Sequence, residues 1–101
     1  MPETKTTWNL EMSSREDFRP KLIDVPGFEV RQVARPCASF NWFLHQAVGT
    51  DFRWGGRHDW GEAEWTEWVN QPELETWVAY VDGAPAGYCE MVEEEDGGIQ
   101  I

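Results

Sequence analysis

One stretch constrains this chain more than any other: residues 75–95, E-T-W-V-A-Y-V, then D-G, then A-P-A-G-Y-C-E-M-V-E-E-E. Trp77, Val78, Ala79, Tyr80 and Val81 carry no charge and are β-branched, aromatic or small, the composition of a strand. Asp82-Gly83 follows at once. An Asp-Gly pair supplies the positive φ angles of a two-residue type I′ turn, whose twist matches the strands it joins. The return strand carries Tyr88, Met91 and Val92. A hairpin this apolar needs other elements to pack on it, and the rest of the chain is read as those elements.

Residues 6–12, T-T-W-N-L-E-M, alternate Trp8, Leu10 and Met12 with polar residues, the period of a half-buried strand. Charges and Pro20 then break the pattern. Residues 28–33, F-E-V-R-Q-V, alternate again, with Phe28 and Val30 on one face, until Arg35-Pro36 ends the run. Residues 38–48 read as a helix whose apolar stripe is Phe40, Phe43, Leu44, Ala47 and Val48, with Trp42 off the stripe and Gly49 placed as a C-terminal cap. A second helix is expected from near Asp59, capped by Asp59 with Glu62 completing the box. Its apolar face is Trp65, Trp68 and Val69, and Asn70-Gln71-Pro72 stops it. After the hairpin, Ile99-Gln100-Ile101 begins a further strand. Strands, two helices and strands in this order predict an α+β fold, a mixed sheet with helices on its faces, in a single domain over residues 1–101.

Composition narrows the function classes. With 8 basic and 19 acidic residues the formal net charge is −11, which disfavours nucleic-acid backbones and anionic membrane surfaces. A cationic or amine-bearing small molecule is compatible with it. No apolar run approaches the ~20 residues that span a bilayer, and the first residues lack a signal-peptide pattern, so the expectation is a cytoplasmic protein. The two cysteines, Cys37 and Cys89, are expected to be free thiols. His45 and His58 have no cysteine at metal-ligand spacing, so no metal site is expected, and His45 reads as an exposed or edge histidine. Seven tryptophans are many for this length, and their amphipathic rings serve cores, pockets and interfaces alike.

Two features could carry chemistry. The loop D-F-R-W-G-G-R-H-D-W, residues 51–60, sets Arg53, Arg57, two aspartates and a histidine among Phe52, Trp54 and Trp60. Polar groups among rings on a loop suit a small-molecule pocket, and they equally suit a loop pinned to the core by its tryptophans. Glu90 is the one charge near the middle of the return strand. Beside Tyr88 and Val92 it would be buried, and burial raises a carboxylate's pKa toward the range of a general base. On a one-sided sheet it is simply a solvent-facing glutamate.

The ordered pattern F-N-W-F-L-H-Q-A-V-G, R-W-G-G-R-H-D-W, E-W-T-E-W-V-N-Q-P and T-W-V-A-Y-V-D-G-A-P-A-G-Y-C-E-M resembles the N-terminal half of a GNAT-fold (GCN5-related) N-acetyltransferase. The resemblance runs from about Phe28 to Ile101. It implies a partial GNAT-like fold: an early strand, two helices, the hairpin at Asp82-Gly83, and a chain truncated at the start of the fourth core strand. It implies acetyl-CoA as cofactor and a small-molecule amine as acceptor. The Q/R-x-x-G-x-G/A motif that holds the cofactor pyrophosphate at a helix N-terminus is absent from these residues, so no cofactor-binding residue carries over and the chain alone is expected to be inactive. On the acceptor side, position implies Trp42, Phe52, Trp54, Arg57 and Trp60 as substrate-binding residues and Glu90 as the base. A different class of function, a small stand-alone Trp-rich ligand-binding or protein-interaction module, fits the same tryptophans. An open final strand invites pairing with another chain, which makes a dimer through that edge the expectation for the isolated chain.

Overall fold

The structure is a computed structural model that describes residue 4 and residues 6–52 and 54–101. The hairpin forms as expected: β2 (Leu74–Val81) turns through Asp82-Gly83 into β3 (Ala84–Glu93). Asp82 and Gly83 have φ of 49° and 84°, the left-handed pair that the type I′ turn requires. β1 (Phe28–Gln32) and β4 (Ile99–Gln100) complete a four-stranded antiparallel sheet in the order β1-β2-β3-β4. A β-bulge between Ala79 and Tyr80 shifts the pairing from Ala79–Gly87 to Tyr80–Pro85. Pro85 cannot donate to a ladder, and it sits where β3 has no partner on its far side, because β4 pairs only with Val92 and Glu93.

Between β1 and β2 the chain forms α1 (Ala38–Gly49) and α2 (Glu62–Val69), an α+β arrangement. The helices pack on each other, and α1 packs on β3. Opposed residues of an antiparallel pair point to the same face, and successive residues alternate. The register Thr76–Glu90 and Val78–Tyr88 therefore aims those four side chains at one face of the sheet. Thr76 and Val78 are buried there, with Leu44, Trp65 and Val69 from the helices. Phe28, Val30, Trp77, Ala79, Val81, Cys89 and Met91 share the opposite face.

Three local expectations are corrected. Residues 6–12 form no strand: Trp8 is 84% and Leu10 95% exposed, and no ladder pairs with them. Period-two alternation prepares a segment for a half-buried sheet position but supplies no partner for its backbone. The buried face of α1 is Asn41, Leu44, His45 and Gly49, while Phe43, placed on the apolar stripe by periodicity, is half exposed. The helix is rotated because Asn41 finds hydrogen-bond partners on the sheet, and a buried amide with partners is tolerated. Gly49 ends α1 inside the fold rather than capping it in solvent. A Cβ there would lie 2.6 Å from the Trp54 ring, so the absent side chain lets Trp54 lie against the helix.

α2 also starts later than Asp59 suggests. Its N-cap is Gly61, whose backbone N–H donates to Glu64 Oε2 at 2.9 Å. This is the carboxylate half of a capping box; glycine has no side chain to return the second bond. Among the described residues no helix is long and apolar enough to cross a membrane, and no group of three metal-ligating side chains occurs.

Candidate functional site

Glu90 stands at the centre of the helix-facing side of β3. Its pairing with Thr76 places it beneath α1 and α2, and its side chain is only 8% exposed. Four side chains surround it. Oε1 accepts from Trp68 Nε1 at 3.0 Å and is paired with Arg57 Nη2 at 2.8 Å. Oε2 accepts from Asn41 Nδ2 at 2.9 Å, and that same amide nitrogen donates to Thr76 Oγ1 at 2.9 Å. α1, the inter-helix loop, α2 and β2 thus each contribute one group to the environment of a single carboxylate.

Arg57 is held on its other side by rings. Its guanidinium carbon lies 4.7, 4.9 and 5.2 Å from the ring centres of Trp60, Trp68 and Trp65. These distances are those of cation–π contact. Trp60 stands nearly edge-on to Trp65, with centroids 5.1 Å apart, and Trp68 completes the cluster at 6.0 Å from Trp60. Among the described residues, Arg57 Nη1, Asn41 Oδ1 and Trp65 Nε1 are buried without a hydrogen-bond partner. For Arg57 the tryptophan faces take the partner's place.

The electrostatics follow from this packing. Burial alone would push the Glu90 carboxyl up. Hydrogen bonds from Arg57, Asn41 and Trp68, with the Arg57 charge, outweigh burial and hold it below the usual carboxylate value. The expectation of a raised, base-like Glu90 is therefore corrected. The carboxylate is buried, as one reading of the strand proposed, but it is ionised and engaged at both oxygens. Tyr88, next to it on the same face, is pushed up to about 12 by burial and by the Glu90 charge, so its hydroxyl stays protonated. His45 is lowered by burial and by the neighbouring Arg57 charge, with Glu90 opposing, and is neutral at pH 7. It is not the exposed histidine that the sequence suggested. It is 9% exposed, with ring centres of Trp54 and Trp65 5.6 and 5.5 Å away.

A cavity of about 390 Å³ opens over this cluster, lined by His45, Trp54, Arg57, Trp68, Tyr88 and Glu90, and bounded at one end by Val92, Gln100 and Ile101. Trp54 and Tyr88, both of which line it, are in tilted contact with ring centres 6.0 Å apart. Apolar walls around a few fixed polar groups make a small-molecule pocket. A buried ion pair at its floor offers an entering ligand one fixed negative and one fixed positive site.

Of the residues singled out in sequence, Trp54, Arg57 and Glu90 converge on this cavity. Trp60 does not line it; it packs on Arg57 and Trp68, which do, and lines with Trp42 a groove between α1 and α2. Phe52 is 70% exposed and lies near Phe43, Ala47 and Pro85, away from the cavity. Arg53 lies outside the described residues. Asn41, His45, Trp68 and Tyr88 belong to the site and were not singled out for it. The available signal for two of them was spacing: Asn41 and His45 stand four apart on one helix face and bracket Leu44. Comparison with family models, with curated proteins and with solved structures found no match.

Proposed function

We propose that residues 28–101 form the amine-acceptor half of a GNAT-type N-acetyltransferase domain. The observation that carries this reading is the element order. An early strand, two helices, the β2–β3 hairpin and then a further strand is the order the sequence resemblance implied, and a cavity lies over the helix-facing side of β3. In this reading the cavity receives the amine, Trp54, Tyr88 and Trp68 wall it, and Arg57 fixes Glu90. A nitrogen attacking an acetyl thioester gains positive charge as the new C–N bond forms. The ionised Glu90 carboxylate stabilises that charge, a fixed electrostatic role rather than that of a strong base; the C–S bond then breaks, and the proton that the new ammonium loses passes to the departing CoA thiolate. Acetyl-CoA supplies the acetyl group, and the contacts to its pyrophosphate are assigned to no residue within 1–101.

The test follows thiol release from acetyl-CoA by the protein expressed from its full reading frame, with a polyamine, an aminoglycoside, an amino acid and a peptide N-terminus as acceptors. Amine-dependent release is expected, falling by roughly 10²–10³ in Glu90→Gln. Residues 1–101 alone are expected to give no acetyl-CoA binding by calorimetry. Absence of release with every acceptor, together with an unchanged melting temperature in acetyl-CoA, would remove the reading.

One observation favours a second reading, an interaction module. The sheet face opposite the helices carries an apolar, half-exposed area at its β1 side, with Phe28 and Val30 at 47% and 49%. β4 leaves its outer edge unpaired among the described residues. A stable dimer in sedimentation, dissociated by charge on the β4 edge (Ile99→Lys), would support this module; a compact monomer would count against it.

A further inference from the structure

The groove between α1 and α2 is chemically unlike the Glu90 cavity. Its walls are Trp42, Trp60 and Trp65, and its volume is about 590 Å³. Among the described residues Glu62 is the one charged residue lining it. A second cleft adjoins it across Trp60 and is edged by Glu64 and Glu67. Among the described residues no basic side chain lines either cleft. Trp42 is 50% exposed, with its ring on the groove instead of in the core. Trp60 and Trp65 meet at 71°, and because Trp65 is only 3% exposed it backs the groove while Trp42 and Trp60 are its open walls. The same two rings already hold a cation on another side, since Arg57 contacts both without lining the groove.

Accessible indoles with a carboxylate among the lining residues suit one ligand chemistry. A methylated ammonium spreads its charge over its methyl groups, sheds water readily and is attracted to the negative faces of aromatic rings. A compact primary ammonium keeps its hydration shell and gains less. The local charge has the right sign, and the space exceeds what a trimethylammonium group needs.

We propose that the groove between α1 and α2, walled by Trp42 and Trp60, backed by Trp65 and lined by Glu62, is a second binding site that takes the quaternary ammonium head of a small organic cation. This assignment is independent of the acetyltransferase reading, because none of its wall residues lines the Glu90 cavity.

Choline titrated into the full chain, followed by calorimetry and tryptophan fluorescence, tests it. Its neutral isostere, 3,3-dimethyl-1-butanol, has the same shape without the charge. Choline is expected to bind about tenfold more tightly than the isostere, and Trp42→Ala to weaken choline about tenfold. Glu62→Gln, which keeps size and fold, is expected to weaken it about two- to threefold and to reduce its sensitivity to salt. Equal binding of choline and the isostere would overturn the proposal. So would choline binding unaffected by Trp42→Ala with circular dichroism unchanged, or no saturable binding of choline. A trimethyllysine peptide binding more than tenfold tighter than choline would assign the groove to a peptide and overturn the small-cation assignment.

Discussion

The two faces of this sheet are built from the same strands and are unlike in every other respect. The helix-facing side of β2 and β3 carries Thr76, Val78, Tyr88 and Glu90, two of them polar and one charged, and it is the covered side. The opposite side carries Phe28, Val30, Trp77, Ala79, Val81, Cys89 and Met91, with Gln32 and Glu75 at the end away from the turn, and it is the open one. A rule that apolar residues mark the interior would have chosen the wrong face. Burial here follows partners as much as hydrophobicity. Glu90 is covered because Arg57, Asn41 and Trp68 satisfy it, and Phe28 is exposed because no described element lies over it.

Cavity-forming substitutions should separate the faces most strongly. Leu44→Ala, beneath the covered face, is expected to cost about 2–5 kcal/mol in urea unfolding. Val30→Ala on the open face is expected to stay within about 0.5 kcal/mol of the parent. A cost for Val30→Ala as large as that for Leu44→Ala would mean that the open face is covered in solution.

A smaller effect comes from pH. His45 has its folded pKa below the ordinary 6.5, so the stability it contributes is complete above that value. It is lost as pH falls below 6.5 toward the lowered value, because the unfolded chain takes up the proton first. Glu90 has its folded pKa below the ordinary 4.5, so its contribution is complete above 4.5 and is lost as pH falls through the lowered value. Comparing the parent with His45→Gln isolates the first step from the relief of acidic self-repulsion. The difference between the two proteins should be flat above pH 6.5 and shrink below it. A difference constant from pH 7 to pH 5 would place His45 in solvent.

The sequence carried the parts of this molecule that are local. The Asp82-Gly83 turn, the two helices and the strands at 28–32 and 74–93 lie within a residue or three of where pattern and turn chemistry put them. α2 buries Trp65 and Val69 as its spacing predicted. Residues 6–12 have the pattern of a strand and remain unpaired, since alternation does not name a partner. The site was legible only as an inventory. Trp54, Arg57 and Glu90 were each visible as unusual residues, but the bonds that join Glu90 to Asn41 and Trp68, and Asn41 to Thr76, cross 22 to 49 positions. Those bonds reversed the expected direction of the Glu90 pKa. They also turned α1 so that Asn41, not Phe43, faces the sheet. Neither consequence can be drawn from residues considered one segment at a time.

The central claim is that a buried Arg57–Glu90 pair organises the covered face and the cavity above it. Equilibrium unfolding of Arg57→Met, Glu90→Gln and the double variant at pH 7 measures that directly. Each single change leaves a buried polar group or charge without its counterpart, and Arg57→Met is expected to cost about 3–5 kcal/mol. The double variant should be much less unstable than the sum, with a coupling of about 2–3 kcal/mol. Additivity of the two single changes to within about 0.5 kcal/mol would contradict the account.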